Sequence, residues 1–281
     1  MPGLLAFHAH PDDESLSMGG TLARYAAAGE VVVVVTATRG DVGEVHNYDD
    51  PAEVATRLAA VRSEEMAAAM RALGIPHHHF LGYRDSGMMG TDDNDDPSSF
   101  WRADFPEAVA RLVRLIRRYR PEVVTAYDPY GGYGHPDHIQ VHRVGTAAFF
   151  GAADIGRFPL EDGEEPWQPL KLYWTTFPRS RVVAMRSGMV EAGVMSPEEA
   201  ATEPDFGSRD DDITTWVEVV DHIDTKEAAV LAHRSQIPAD SWFHTLPREA
   251  REQFLGHEAF IRVFARVPVP DPEDDLFAGL R

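Results

Sequence analysis

Short apolar segments at regular intervals in the first half of the chain predict alternating strands and helices. The aliphatic segments 4–7 (LLAF) and 31–36 (VVVVVT) have the composition of buried strands. The segment between them has helical composition and ends at Gly29, a residue type that commonly follows a helix C-terminus. A strand, a helix and a second strand within about thirty residues are typical of a right-handed βαβ unit with parallel strands.

The same alternation continues to about residue 150 and then loosens. One helix is predicted from Asp50, with Pro51 in its first turn, to Leu73, and another follows Asp104 with its apolar positions on one face. Further strands are predicted at 78–82, 122–127, 172–176, 215–220 and 259–265, and further helices near 179–192 and 221–236.

This order of elements predicts an α/β protein, a Rossmann-like three-layer sandwich with a mainly parallel sheet and a smaller C-terminal α/β lobe. We expect residues 1–150 to form a Rossmann-like catalytic core. We expect residues 151–281 to complete the sheet and cap the pocket, so that the two parts make a single functional unit.

Charge and composition narrow the classes of partner. The formal net charge of −20 argues against nucleic acids and anionic membranes, which bind clustered Lys and Arg. The chain has no cysteine, which excludes disulfides and thiolate metal ligands. The longest aliphatic run, 31–35, is too short to cross a bilayer, and the first residues do not resemble a signal peptide. We therefore expect a cytoplasmic protein with a small-molecule substrate, and homo-oligomerisation is left open.

Two clusters of histidines and carboxylates follow predicted strands and carry the candidate chemistry. They are HAHPDDES at 8–15, after the first strand, and GGYGHPDH at 131–138, after the strand at 122–127. The carboxyl ends of parallel strands face the crevice where α/β proteins bind ligands, so we expect the two clusters to meet. Two imidazoles and a carboxylate are typical of a hydrolytic zinc site with one open position. A further carboxylate beside such a site can act as a general base.

These motifs resemble those of the LmbE-like, or PIG-L-type, zinc-dependent N-deacetylases. The resemblance rests on HAHPDDES and YDPYGGYGHPDH, and extends to RDSGM at 84–88 and TKEAAVLAHRSQ at 225–236. Within the family the chain is most similar to the mycothiol branch. That branch includes the deacetylase of N-acetylglucosaminyl-inositol and the mycothiol S-conjugate amidase.

The resemblance implies a metal site and a base. The family pattern, carried onto this sequence, makes His10, Asp13 and His138 the ligands of Zn²⁺, with Fe²⁺ as the alternative metal. It makes Asp12 the general base. Spacing alone does not distinguish Asp12 from Asp13, so this assignment rests on the resemblance.

Three residues of the second cluster match the remaining catalytic positions of the family. His135 corresponds to the histidine that acts in the transition state, and Asp137 stands beside it to orient the ring. Tyr133 corresponds to a mobile tyrosine associated with stabilisation of the oxyanion. The resemblance therefore implies that these residues act on the substrate carbonyl.

Four further residues are candidates for substrate binding. Arg62 falls within an otherwise apolar helical row, where an arginine either extends to the surface or reaches into a cavity. The resemblance favours the cavity, since the matching arginine of the family binds substrate hydroxyls. Asp85 matches a sugar-binding residue, and Ser17 stands where the amidase branch has lysine, which favours an N-acetyl sugar substrate. Glu44 is expected at the rim of the same pocket.

Two other histidines are expected to have structural roles, and other functions remain as alternatives. His8 is expected to be a packed or hydrogen-bonded core residue, and His233 to brace its helix. The alternative activities are those of a mycothiol S-conjugate amidase or of a natural-product tailoring amidase. A non-haem iron oxygenase is the alternative of another class, because it can use the same ligand types. A non-catalytic binding module is the third hypothesis.

Overall fold

The computed structural model describes residues 3–191, 193, 195–202, 206–239, 241 and 248–281. In this part of the chain seven strands form one sheet. They are β1 Gly3–His8, β2 Val31–Thr38, β3 His77–Tyr83, β4 Val123–Ala126, β5 Lys171–Thr176, β6 Thr215–Glu218 and β7 His257–Ala265. The order is β3-β2-β1-β4-β5-β7-β6, with the first five strands parallel and the pairs of β7 antiparallel.

Helices cover both faces of the sheet. They are α1 Asp13–Ala27, α2 Pro51–Ala55, α3 Leu58–Leu73, α4 Phe105–Tyr119, α5 Pro136–Gly151, α6 Arg179–Glu191, α7 Pro197–Ala201, α8 Ile223–Ala232 and α9 Arg248–Leu255. Within the described residues, no helix has both the length and the apolar composition required to cross a membrane.

Alternate residues of the central strands face two separate hydrophobic cores. Leu5 and Phe7 of β1 belong to the cluster that contains the apolar face of α4 and residues of α5. Leu4 and Ala6 belong to the cluster that contains residues of α1 and α3. Successive side chains of a strand point to opposite faces, so a strand that is apolar throughout must be covered on both sides. The predicted α/β fold with a mainly parallel sheet is confirmed.

One predicted helix is wrong in its continuity. Asp50 caps the helix as predicted, accepting a hydrogen bond from the backbone N–H of Glu53 at 3.0 Å. The helix α2 then ends, and α3 begins after Arg57, whose φ of −131° and ψ of 21° are not helical. At this break the hydroxyl of Thr56 donates to the carbonyl of Glu53. Such a local side-chain bond competes with continuation of the helix.

The order of the strands brings the two clusters together. β1 pairs with β4 in parallel, so the segments that follow them leave the same edge of the sheet. The helix α1 begins after the first segment and α5 after the second. Adjacent parallel strands lie about 4.8 Å apart, which places the two segments within side-chain reach of one another.

Candidate active site

A cavity of about 410 Å³ lies at the carboxyl edge of the sheet, between the segments that follow β1 and β4. Ten of the residues expected in the site line it: His10, Asp12, Asp13, Ser17, Glu44, Arg62, Asp85, Tyr133, His135 and His138. The eleventh, Asp137, is fully buried behind the cavity wall. Residues separated by more than 120 positions in the sequence therefore share one pocket.

The three expected metal ligands are arranged around one carboxylate. Oδ2 of Asp13 lies 3.5 Å from Nδ1 of His10 and 3.5 Å from Nε2 of His138. Tetrahedral zinc with bonds of roughly 2.0–2.2 Å places its ligand atoms about 3.4 Å apart. The two distances from the Asp13 oxygen to the ring nitrogens fit this spacing, and imidazole and carboxylate are donors that zinc accepts. The rings of His10, His135 and His138 also bring nitrogens within 4.8 Å of one another.

Hydrogen bonds orient the two imidazoles of this set from behind. Nε2 of His10 lies 3.1 Å from the carboxylate of Asp137, and Nδ1 of His138 lies 3.1 Å from the carbonyl of Gly131. With the protons on these nitrogens, Nδ1 of His10 and Nε2 of His138 carry lone pairs on the side of Asp13 and can coordinate a metal. Such partners fix the ring and the tautomer of metal-binding histidines.

The contacts of Asp137 differ from the expectation that its carboxylate orients His135. That carboxylate instead contacts His10 and accepts hydrogen bonds from the backbone N–H and the hydroxyl of Ser86. Only its backbone N–H reaches His135, donating to Nδ1 at 3.1 Å. The reason is local: His135 is the N-cap of α5, so its ring folds back onto the first turn of the helix.

His135 and Tyr133 place donors on the cavity side. Nδ1 of His135 accepts a hydrogen bond, so in the neutral ring the proton is on Nε2, which lies 4.0 Å from Oδ1 of Asp85. Burial, with the neighbouring rings of His10 and His138, lowers the pKa of His135 to about 3. The Tyr133 hydroxyl lies 3.3 Å from Nε2 of His138, and burial raises the pKa of Tyr133. Both groups can donate to a developing oxyanion.

Asp12 lies at the wall of the cavity beside a buried arginine. Its carboxylate is 3.3 Å from Nη2 of Arg62, which is only 3% exposed. Burial raises the pKa of Asp12 to about 6, although Arg62 opposes the shift. Arg62 also donates to the carbonyls of Pro11 at 2.5 Å and Gly40 at 3.0 Å. The guanidinium therefore holds the loops of the site as well as lining the cavity.

The other substrate candidates lie around the same opening. The hydroxyl of Ser17 donates to the carbonyl of Asp13 at 2.7 Å, which leaves its oxygen as an acceptor. Asp85 accepts a hydrogen bond from the backbone N–H of Gly87 at 2.9 Å. Glu44 is at the rim, with 87% of its side chain exposed.

Several residues around the site were not identified from the sequence. Tyr127, Thr175, Phe177 and Gln236 also line the cavity, and Ser86 supports Asp137. Gln236 is the last residue of the segment 225–236, which contributes to the family resemblance but does not by itself indicate a residue of the pocket. Nothing in the composition of β5 distinguishes Thr175 as a residue of the pocket. Tyr127 directly follows β4, a position that the strand-end argument could have included.

The two histidines expected to have structural roles, His8 and His233, are both buried. His8 is fully buried, and its Nδ1 lies 2.9 Å from the hydroxyl of Tyr127, in agreement with the expected hydrogen-bonded core residue. His233 is fully buried at the end of α8, and its Nε2 lies 3.0 Å from the carboxylate of Glu14. The expectation for His233 was a brace for its own helix. The structure instead connects it to α1.

Comparisons with known proteins relate this sequence to deacetylases. Residues 5–149 match the family model described as PIG-L, GlcNAc-PI de-N-acetylase. A 1D-myo-inositol 2-acetamido-2-deoxy-α-D-glucopyranoside deacetylase of Salinispora arenicola is 43% identical, over 99% of this chain and 91% of that protein. A protein of the same name from Geodermatophilus obscurus is 43% identical, over 99% and 97%.

Solved structures share the architecture. The conserved protein TT1542 of Thermus thermophilus has a TM-score of 0.64 at 28% identity, over 96% of this chain and 99% of that one. The N,N'-diacetylchitobiose deacetylase of Pyrococcus horikoshii has a TM-score of 0.65 at 21% identity, over 93% and 83%. The second likeness concerns the fold alone.

Proposed function

The chain belongs to the PIG-L family of GlcNAc-PI de-N-acetylases, and from this premise we propose that it removes the acetyl group from an N-acetylglucosaminyl-inositol. The observation that carries the proposal is the position of Asp13 between the imidazoles of His10 and His138, with Asp12 at the wall of the same cavity. A metal-dependent deacetylase uses this combination of a cation site and an adjacent base. The oxygenase alternative is set aside because the family is hydrolytic.

His10, Asp13 and His138 are the proposed ligands of Zn²⁺. Zinc bound there would polarise the acetyl carbonyl and lower the pKa of a water molecule to about 7. Asp137 and the carbonyl of Gly131 contact the two rings, so hydrogen bonds within the protein would orient both imidazoles toward the metal. Imidazole and carboxylate donors also suit ferrous iron, and metal analysis distinguishes the two ions.

In the proposed reaction, one side chain transfers protons and two others stabilise the negative charge. Asp12 accepts a proton from the attacking water and passes it to the amine as the C–N bond breaks. The Nε2–H of His135 and the hydroxyl of Tyr133 donate to the carbonyl oxygen as it gains negative charge. The products are acetate and the free amine.

The charges of the cavity favour a neutral, hydroxylated substrate. Among the described residues that line it, Arg62 is the single lysine or arginine, and its fork is already bonded to backbone carbonyls and Asp12. Asp85 and Ser17 present acceptors for hydroxyl groups. An anionic group on the substrate would meet carboxylates without a free cation to pair with.

Release of amine and acetate from three substrates tests the proposal. Zinc-loaded protein is incubated with N-acetylglucosaminyl-inositol, with N-acetylglucosamine and with a mycothiol S-conjugate. We expect the highest kcat/KM for the inositol glycoside, and loss of turnover when a chelator removes the metal. Faster cleavage of the conjugate would replace the proposal with the amidase alternative. Intact substrate in all three assays would refute the deacetylase function.

A further inference from the structure

The backbone at Asp12 has an unusual conformation for a residue with a side chain. Its φ is 115° and its ψ is −32°, a region that residues other than glycine rarely adopt. Such conformations persist only where the surrounding contacts hold them, and they concentrate at functional sites. Asp12 is also the proposed general base, so the contacts that hold its backbone determine where its carboxylate points.

Glu14 supplies one of these contacts from inside the protein. It is fully buried, and its Oε2 accepts a hydrogen bond from the backbone N–H of Asp12 at 3.0 Å. Its Oε1 accepts from the hydroxyl of Ser15 at 2.6 Å. The same oxygen lies 3.0 Å from Nε2 of His233. A carboxylate surrounded by donors is held in a single orientation.

His233 comes from a distant part of the chain. It follows α8, 219 positions after Glu14, and its side chain is fully buried. The carbonyl of His233 accepts hydrogen bonds from the backbone N–H groups of Gln236 and Ile237. The next turn is anchored separately, since Ser235 donates from its N–H and its hydroxyl to Glu65. His233 is therefore rigidly placed, and the reaction scheme above gives it no role.

We propose that Glu14 and His233 are positioning residues that hold the backbone of Asp12 so that its carboxylate faces the substrate. The proposal rests on the proposed function of Asp12 as the general base. His233 donates from Nε2 and fixes the Glu14 carboxylate, which in turn fixes the N–H of Asp12. Arg62 holds the other side of the same residue, through its carboxylate and the carbonyl of Pro11. His233 thus acts on the reaction from outside the cavity lining.

A matched pair of substitutions at His233 tests this role. His233→Gln keeps an N–H donor near the position of Nε2, whereas His233→Met has similar length and no donor. Displacement of a reacting group by about 1 Å can reduce the rate about a hundredfold, so we expect His233→Met to lower kcat by about 10- to 100-fold. His233→Gln should retain kcat within about threefold of the wild type, while KM and zinc affinity change little in both variants. His233→Asn, whose amide reaches only the Nδ1 position, provides a second variant without a donor at the Nε2 position if the methionine variant does not fold.

A spectroscopic measurement tests the same contact without turnover. In protein labelled with ¹⁵N-aspartate, the amide signal of Asp12 is assigned by its loss in Asp12→Asn. We expect this signal to shift in His233→Met and His233→Asn and to stay near the wild-type position in His233→Gln. An unchanged Asp12 signal in the donor-free variants would overturn the proposal, as would equal kcat values for the Gln and donor-free variants. A higher KM together with weaker zinc binding in these variants would also overturn it, because both changes indicate a general structural role. An inactive wild type would instead contradict the deacetylase function, and the amide signals would still decide the positioning role.

Discussion

Removal of the Asp137 carboxylate should weaken metal binding. Asp137 is fully buried, and its Oδ2 lies 3.1 Å from Nε2 of His10 and accepts the N–H of Ser86 at 2.9 Å. The carboxylate therefore orients a proposed zinc ligand and increases its basicity. In Asp137→Asn the amide oxygen can take the position of Oδ2 and the NH₂ group can face the Ser86 hydroxyl. The geometry is kept and the negative charge is lost. In Asp137→Ala the N–H of His10 loses its acceptor altogether.

The expected change in zinc affinity differs between the Asn and Ala variants. Loss of a partner behind a metal-binding histidine typically reduces affinity about 10- to 100-fold. We expect Asp137→Asn near the lower limit, about a tenfold increase in the zinc Kd or about 1.4 kcal/mol. We expect Asp137→Ala near the upper limit, about 2.7 kcal/mol, because a buried N–H is left without an acceptor.

Competition for zinc with a chromophoric chelator measures these dissociation constants directly. Asp211→Asn is the control for the change of one charge, because 89% of the Asp211 side chain is exposed. Its zinc Kd should equal that of the wild type. An unchanged Kd in Asp137→Asn, combined with a large fall in kcat, would refute the reasoning. That outcome would return Asp137 to the role expected from the sequence, as a partner of His135.

Three further substitutions have defined outcomes. Asp12→Asn should keep zinc binding and lower kcat about 10²- to 10⁴-fold, the usual contribution of a general base, measured by amine release. Gly131→Ala should raise the zinc Kd at least about tenfold and cost about 1–3 kcal/mol of stability, because the new Cβ would lie 2.5 Å from Cβ of His138 at a φ of +66°. Lys171→Met should lower the free energy of unfolding by about 3 kcal/mol in urea titrations, because its ammonium is buried against Glu273 at 2.6 Å and two backbone carbonyls.

The substitutions of Gly131 and Lys171 each have a control within the chain. Gly132→Ala tests backbone strain alone, since its φ is +78° and a Cβ there meets nothing within 4 Å. If it raises the zinc Kd as much as Gly131→Ala, the steric argument fails. Arg57→Met removes an exposed ion pair and should leave unfolding unchanged. A Lys171→Met variant as stable as the wild type would show that Glu273 is satisfied by its other donors. Activity of Asp12→Asn within about tenfold of the wild type would remove its assignment as the base.

The fold was predictable because its determinants are local and periodic. The strands β1 and β2 are apolar throughout, and α4 carries its apolar residues on one face. Both patterns can be read from neighbouring residues alone, and both are present in the structure. The break between α2 and α3 was not predictable, since it depends on a few side-chain bonds at Thr56 and Arg57 that leave the apolar period unchanged.

The contents of the candidate site were predictable only where a residue's chemistry is rare. Histidine beside aspartate at a strand end identified both clusters, and the resemblance separated Asp12 from Asp13. The contacts of Glu14 with His233 and of Asp137 with His10 join residues 219 and 127 positions apart. Such pairs depend on how helices and strands pack together, and this packing cannot be read from composition or local spacing. Thr175 of β5 lines the cavity but is an ordinary strand residue, and only the strand order places it there.

The two His-Pro-Asp segments illustrate why similar sequences have different contacts. In the first, the helix begins after Asp12, which is the N-cap of α1, so His10 lies before the helix and contacts Asp13. In the second, the helix begins two residues earlier within the motif, with His135 as the N-cap of α5. Asp137 is consequently in the first helical turn and fully buried, and it contacts His10 of the other motif without lining the cavity itself. The histidine lines the cavity in both motifs, and the position of the helix start decides whether the aspartate does so as well. A tripeptide match alone cannot transfer a role from one motif to the other.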